Sequence, residues 1–167
     1  MPISPGPFVL DSSILIPYLR SSKYRQFILA GLERGRIFLP GVVLCELYAG
    51  ATSSDDRADI ESLRRALGPH VVGAQVEDWA LAGRCLSYYS ARWGKIKTRD
   101  HLADVMVAVA ALRIGGVLVS GDLRQLRRWS WVLGKLGRKI AVRTVEESPC
   151  SHSSLSMASS QAASMPW

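Results

Sequence analysis

Two acidic residues lie where a short apolar segment ends. Asp11 closes the sequence F-V-L-D and Asp122 closes V-L-V-S-G-D, and a segment with helical spacing of apolar residues follows each of them. An aspartate in such a position often caps the next helix, a contribution of about 1 kcal/mol. In a parallel α/β fold both residues would also lie at the carboxyl edge of the sheet, where ligands bind. The pair is therefore a candidate functional site as well as a candidate pair of helix caps.

Two further acids interrupt apolar segments of helical length. Glu46 occurs in V-V-L-C-E-L-Y-A-G, and Asp104 begins the run D-V-M-V-A-V-A-A-L. Burial of an unpaired carboxylate is costly, so these positions favour a role in a site over a chance occurrence. Asp100 shares a helical spacing with Asp104, but it is expected to cap the helix or remain exposed because Arg99 and His101 flank it.

Carboxylates gathered at one place repel one another, and the usual relief is protonation or a bound cation. All-oxygen, anionic ligands suit Mg²⁺ or Mn²⁺, whereas zinc would call for histidine or cysteine beside them. A site of this kind on a basic protein indicates hydrolysis of phosphodiester bonds. There the metal would activate water and stabilise the charge that develops on phosphate.

The charge of the chain favours a polyanionic partner, most simply nucleic acid. Its 167 residues suit one globular domain, with 48% apolar residues, 21 Lys and Arg against 14 Asp and Glu, and a net charge of +7. Residues 1–83 hold 8 bases and 9 acids, whereas residues 84–143 hold 13 bases and three acids. Lys97 and Arg99, in the connector G-K-I-K-T-R, are candidate RNA-binding residues. Further cations that could contact phosphates are Lys95, Arg124, Arg127 and Arg128.

The expected location is the cytoplasm, without membrane association. Cys45, Cys85 and Cys150 are odd in number and lack C-x-x-C spacing, which fits free thiols in a reducing compartment. The first residues lack the order of a signal peptide. The longest apolar run, Val105 to Leu112, is much shorter than the roughly 18 residues that a membrane span requires.

Short apolar segments alternate with helical ones and predict an α/β domain with a parallel sheet and helices on both faces. A domain over 1–147 is expected, followed by a disordered, serine-rich tail over 148–167 that contains no charged residue. The predicted strands are 8–10, 36–39, 71–72, 117–120 and 140–142. The predicted helices are 12–20, 27–33, 42–51, 56–67, 76–93, 102–114 and 123–131.

Several aromatic side chains have two interpretations. Trp129 and Trp131 lie among arginines and could stack on bases, although packing in the core is favoured for both. His70 and His101 have no partner at the spacing of a metal site or a catalytic triad, and both are interpreted as structural.

Four short motifs in this order resemble the PIN domain, and their spacing is most similar to the VapC-type toxins of toxin–antitoxin pairs. The resemblance extends from residue 8 to about residue 145. The motifs are D-S-S-I-L from Asp11, E-L-Y-A-G from Glu46, D-V-M-V-A-V-A from Asp104 and V-L-V-S-G-D ending at Asp122.

The resemblance implies a three-layer α/β/α sandwich with a central, mostly parallel sheet and a Mg²⁺- or Mn²⁺-dependent endoribonuclease activity. It assigns the acidic quartet to Asp11, Glu46, Asp104 and Asp122, with Asp11 and Asp104 as direct metal ligands. Ser13 and Ser120 match the small polar residues that orient carboxylates or water. It also implies an RNA substrate, a homodimer and a cognate antitoxin whose C-terminal segment covers the site.

Two other functions remain open at the level of the sequence. One is a structure-selective DNA nuclease of the same fold, which a preference for DNA over RNA would distinguish. The other is a catalytically inactive, basic module that binds RNA or protein. Intact spacing of all four acids argues against the inactive module, and the absence of stabilisation by Mn²⁺ would support it.

Overall fold

A computed structural model describes residues 6–148. Ser148 is buried, and its hydroxyl donates to the carbonyl of Thr144 at 2.8 Å, whereas the rest of the predicted tail lies outside the described residues. The strands are β1 (Phe8–Leu10), β2 (Ile37–Pro40), β3 (Val71–Val72), β4 (Val117–Val119) and β5 (Ala141–Arg143). The helices are α1 (Ser12–Ser21), α2 (Arg25–Glu33), α3 (Gly41–Ala49), α4 (Ser54–Leu67), α5 (Val76–Trp93), α6 (Leu102–Ile114) and α7 (Leu123–Lys135).

The five strands form one sheet in the order β3-β2-β1-β4-β5, and every pair of neighbours is parallel. Strand β1 lies at the centre and is fully buried, as expected for an apolar strand covered on both faces. Its residue Leu10 lies opposite Val119 of β4. The carboxyl ends of β1 and β4 therefore meet at the same edge of the sheet.

From β1 the chain continues to β2 and β3 on one side of the sheet. It then returns to the other side of β1, where it forms β4 and β5. Because parallel crossovers are right-handed, this reversal puts helices on both faces of the sheet. Helices α2 and α4 pack on β2, and α6 packs on β1 and β4 with α5 and α7 against it. The predicted three-layer α/β arrangement is thus confirmed.

Local signals in the sequence account for several element boundaries. Ser53 and Asp56 form a capping box at the start of α4, in which each side chain accepts a hydrogen bond of 3.0 Å from the other's backbone amide. Gly115 ends α6 with a positive φ of 68°, a conformation that favours glycine. A Cβ at the next residue, Gly116, would lie 2.7 Å from the carbonyl oxygen of Pro7, so β4 could not approach the start of β1 with any larger residue there.

The predicted bounds of α5 and α6 agree with the structure, and α7 is longer than predicted. Helix α7 continues past Trp131 to Lys135 and includes Gly134, and Gly137 follows its end with a positive φ of 75°. Pro17 is accommodated inside α1. Within residues 6–148, no helix has both the length and the apolar content that crossing a membrane would require.

A partly buried ion pair links the start of α5 to the end of α6. Asp78 is buried, and one of its carboxylate oxygens accepts hydrogen bonds from Nε of Arg113 at 2.9 Å and from the amide of Gln75 at 2.8 Å. Arg113 also donates to the carbonyl of Gly73 at 2.7 Å. The pair therefore holds the chain between β3 and α5 against the helix that covers the centre of the sheet.

Replacement of Arg113 by methionine is expected to destabilise the protein by about 2–3 kcal/mol, because Asp78 would remain buried without its cation. Urea unfolding followed by circular dichroism measures the change. The matched control is Arg64→Met, which removes an exposed pair with Glu61 and is expected to change stability little. Equal effects of the two substitutions would contradict this account.

Candidate active site

The pairing of β1 with β4 positions the first two site residues. Leu10 lies opposite Val119, so Asp11 and Ser120 directly follow paired residues at the carboxyl edge of the sheet. The hydroxyl of Ser120 donates to Oδ2 of Asp11 at 2.6 Å. Although 109 residues separate them, the parallel register makes these two residues neighbours.

Both carboxylate oxygens of Asp11 accept hydrogen bonds. Oδ1 accepts from the hydroxyl of Ser13 at 2.6 Å and from its backbone amide at 3.1 Å, so Asp11 also caps α1 as predicted. The hydroxyls of Ser13 and Ser120 in turn accept from the amides of Gly121 at 2.8 Å and Asp122 at 2.9 Å. Burial raises the pKa of Asp11 above its ordinary value, and the hydrogen bonds from the two serines oppose this rise.

Asp104 lies in the first turn of α6, half-buried and close to other acids. Its pKa is raised to about 6, mainly by burial and in addition by the charges of Glu46 and Asp11. The side-chain amide of Gln125, on α7, donates to Oδ2 of Asp104 and lowers the pKa. The effect of Glu46 and Asp11 on Asp104 indicates that three elements bring their carboxylates to one region.

Glu46 and Asp122 lie in different surroundings. Glu46 is half-buried on α3 and lines a small cleft of about 40 Å³ between α1, α3 and α4. Asp122 is exposed, and its side chain makes no capping hydrogen bond to α7. The helix-cap interpretation thus holds for Asp11 and is wrong for Asp122, whose carboxylate is left to face solvent at the edge of the sheet.

The donor set fits a divalent cation by its chemistry. The acids at this edge offer only oxygen ligands, and their mutual repulsion is the kind that a hard cation relieves. Among residues 6–148, no three acidic, histidine or cysteine side chains converge closely enough to hold an ion as they stand. Asp104 is the acid whose pKa shows the crowding, since the charges of Glu46 and Asp11 contribute to its rise.

The two candidate RNA-binding cations are exposed beside this region. Lys97 and Arg99 lie in the connector between α5 and α6, and Arg99 forms an exposed ion pair with Asp100 at 3.4 Å. Asp100 is thus exposed, one of the two outcomes expected for it, and takes no part in the cluster around Asp104.

Gln125 is the site residue that the sequence analysis missed. It lies in the first turn of α7, three positions after Asp122, between Arg124 and Arg127. A neutral amide among arginines is a weak sequence signal for a site residue. Its partner Asp104 lies 21 residues away, so no local pattern connects the two.

Comparisons with known proteins agree with the fold described above. The family model described as PIN domain matches residues 8–130. No curated protein matches the chain.

Several solved structures share the fold at low sequence identity. A chain from the DNA-bound VapBC complex of Salmonella typhimurium is 18% identical with a TM-score of 0.63, over 84% of this chain and 98% of that one. VapBC2 of Rickettsia felis, bound to a DNA fragment from its promoter, gives 14% identity and a TM-score of 0.62, over 82% and 97%. FitAcB of Neisseria gonorrhoeae gives 16% and 0.59, over 84% and 99%.

The crowding of Asp104 predicts a pH-dependent stability in the presence of EDTA. Its pKa of about 6 in the folded protein exceeds the ordinary value near 4, so folding takes up a proton between these pH values. Asp104 therefore destabilises the folded protein least below about pH 4, where it is protonated. The stability of the protein falls as the pH rises through about 6, because the crowded carboxyl group then becomes charged. Asp104→Asn should melt roughly 2 to 6 °C above the wild type at pH 7.5, with a smaller difference at pH 5.

Thermal unfolding at the two pH values measures this difference. Asp100→Asn is the control, because Asp100 is exposed and should show no such gain. A loss of stability in Asp104→Asn at pH 7.5 would mean that its carboxylate is not crowded in the folded protein.

Proposed function

The chain belongs to the PIN domain family, and from this premise we propose that it is a Mg²⁺- or Mn²⁺-dependent endoribonuclease that acts as the toxin of a toxin–antitoxin pair. The observation that supports the proposal most strongly is the position of Asp11 at the carboxyl end of β1, held by the hydroxyls of Ser13 and Ser120 and close enough to Asp104 for its charge to raise the pKa of that acid. Repelling carboxylates at the carboxyl edge of a parallel sheet are the arrangement expected of a site for divalent cations.

In the proposed site Asp11 and Asp104 hold the metal directly, and Glu46 and Asp122 complete the acidic quartet. When bound, the metal supplies an activated water and stabilises negative charge on the phosphate. The two hydroxyls that donate to Asp11, from Ser13 and Ser120, leave its carboxylate little freedom to rotate. They are positioning residues, since they act through Asp11.

Charge supports a nucleic acid as the substrate, and the family resemblance implies RNA. The cations of the connector, Lys97 and Arg99 among them, belong to the part of the chain that holds 13 bases and three acids. Such a surface attracts a phosphate backbone towards the carboxylates, which would otherwise repel it. If the protein cleaves DNA in preference to RNA, the substrate in this proposal becomes DNA and the role of the acids is unchanged.

A cognate antitoxin is the proposed protein partner, since several structures with this fold are VapBC complexes. The cleft beside Glu46 has apolar walls from α1 and α4, including Ile16, Leu19 and Ile60, with Arg20 at its margin. A partner segment seated there would lie next to the acidic site and would block it. We further propose a homodimer that acts in the cytoplasm, in line with the family resemblance.

Purified protein is expected to cleave RNA in Mn²⁺ and to lose the activity in EDTA. Asp11→Asn and Asp104→Asn should each lower the rate by roughly a hundred-fold or more, because each removes a charged ligand of the proposed cation. A panel of structured and unstructured RNAs, with matched DNAs, resolved on denaturing gels measures this. Asp100→Asn should cleave like the wild type; equal activity of Asp104→Asn would overturn the proposed site.

Binding of the metal can be tested without any substrate. A saturating concentration of Mn²⁺, about 100 times the Kd, should raise the Tm of the wild type by roughly 5 to 10 °C. The same addition should leave the Tm of Asp104→Asn nearly unchanged, although that variant is already stabilised in EDTA. Equal shifts in both proteins would place the metal elsewhere, and no shift in either would favour the inactive binding module.

A further inference from the structure

Aromatic rings from α5 and α7 form one continuous cluster beside the candidate active site. The indoles of Trp93 and Trp131 meet edge to face, with their centroids 5.1 Å apart. The ring centroid of Tyr89 lies 4.6 Å from that of Trp93 and 5.2 Å from that of Trp129. The ring centroids of Tyr88 and Trp131 are 6.1 Å apart. The cluster therefore passes from the protein surface into the core.

The fold uses only the inner part of this cluster. Trp129 is completely buried, and Tyr89 is nearly so. In contrast, Trp93 is 49% exposed and Trp131 is 42% exposed. Trp129 and Trp131 lie two residues apart on a helix and so project about 200° apart, which explains why one packs inward and the other outward. Two large aromatic residues in contact with each other therefore leave about half of their surface exposed to solvent.

Cations surround the exposed rings. The guanidinium of Arg92 lies 5.9 Å from the ring of Trp93, and the ammonium of Lys135 lies 5.2 Å from the ring of Trp131. Neither cation forms an ion pair with a carboxylate among residues 6–148. The two segments that carry the rings, 79–99 and 123–143, contain twelve Lys and Arg and no Asp or Glu. A protein partner with mixed charge would find little electrostatic complement here, whereas a polyanion would.

The exposed rings are connected to the catalytic region. Tyr89 lies 5.8 Å from the imidazole of His101, which is three residues before Asp104 and close enough for its charge to lower the pKa of that acid. The connector that begins at Gly94 leads from Trp93 past Lys97 to the start of α6. A nucleic acid strand with a phosphate at Asp104 would therefore find cations and exposed aromatic rings close by.

We propose that Trp93 and Trp131 form a stacking platform for the bases of a single-stranded RNA substrate, whose phosphates Arg92 and Lys135 bind. The inference rests on the proposed function and adds that the RNA is recognised as a single strand. Only unpaired bases expose the faces that indole rings stack on, and such stacking tolerates any sequence. The cations that now lie over the rings supply the charge that a phosphate backbone requires.

The test measures binding in the Asp104→Asn background, so that no strand is cut. The probes are a fluorescein-labelled, unstructured 12-nucleotide RNA and an abasic ribose-phosphate strand of equal length and charge. Adding Trp93→Leu and Trp131→Leu together should weaken RNA binding ten-fold or more, because stacking of even one base has about this effect. Binding of the abasic strand should change less than two-fold.

Two variants control for the fold and for the loss of indole rings. Trp79→Leu removes an exposed tryptophan from the other end of α5, beside Glu77 and Asp78, and should leave RNA binding unchanged. Replacing both Trp93 and Trp131 by phenylalanine should restore most of the affinity, because phenyl rings still stack. The RNA, and not the abasic strand, should also quench the tryptophan fluorescence of the Asp104→Asn parent protein, a readout that requires no change in the platform.

Each outcome bears on one proposal. If the double leucine variant binds RNA within two-fold of its parent, or loses RNA and abasic strand equally, the platform is overturned. Metal-dependent cleavage by the wild type tests the nuclease separately. If cleavage is absent while the RNA-specific loss is present, the nuclease proposal fails and the platform stands; if cleavage occurs without that loss, the platform alone fails.

Discussion

The in-register parallel pairing of β1 with β4 is the constraint on which the candidate site depends. Because Leu10 lies opposite Val119, the hydroxyl of Ser120 reaches the carboxylate of Asp11, and the amide of Gly121 reaches the hydroxyl of Ser13. A slip of one residue would turn alternate side chains to the opposite face of the sheet. The half-buried carboxylate of Asp11 would then lose the hydrogen bond from Ser120 and keep only the local ones from Ser13, which leaves Oδ2 without a donor. The buried core of the sheet thus fixes the position of a polar group.

Helix α6, the most buried of the described helices, places a second acid, Asp104, at this edge of the sheet. Helix α6 is apolar from Val105 to Ala111 and packs against both the sheet and the neighbouring helices. This packing leaves Asp104 in a fixed place near Asp11 and Glu46, where burial and repulsion raise its pKa. The site is therefore a source of instability that the remainder of the fold must offset, a common property of catalytic sites.

The basic residues, which are unevenly distributed along the sequence, lie on neighbouring elements of the structure. The basic segments contribute α5, α7 and the connector between α5 and α6. These elements pack together on the side of the sheet that α6 covers. Under the proposed function, these cations compensate the repulsion between a cluster of carboxylates and a phosphate backbone. The exposed rings of Trp93 and Trp131 lie on the same elements, so attraction and stacking would act on one strand.

Local patterns in the sequence were sufficient to predict the alternation of strands and helices, the bounds of α5 and α6, and the acids at the ends of β1 and β4. These features follow from local periodicity and from breakers such as Gly115, which act within a few residues. Three features became visible only in the folded protein: the side chain of Asp122 makes no capping hydrogen bond to α7, Gln125 donates to Asp104, and Trp129 is buried whereas Trp131 is not. The surroundings of Gln125, Trp129 and Trp131 depend on which face of α7 meets distant parts of the chain. Helical periodicity fixes the directions of side chains relative to one another, but it does not fix what they meet.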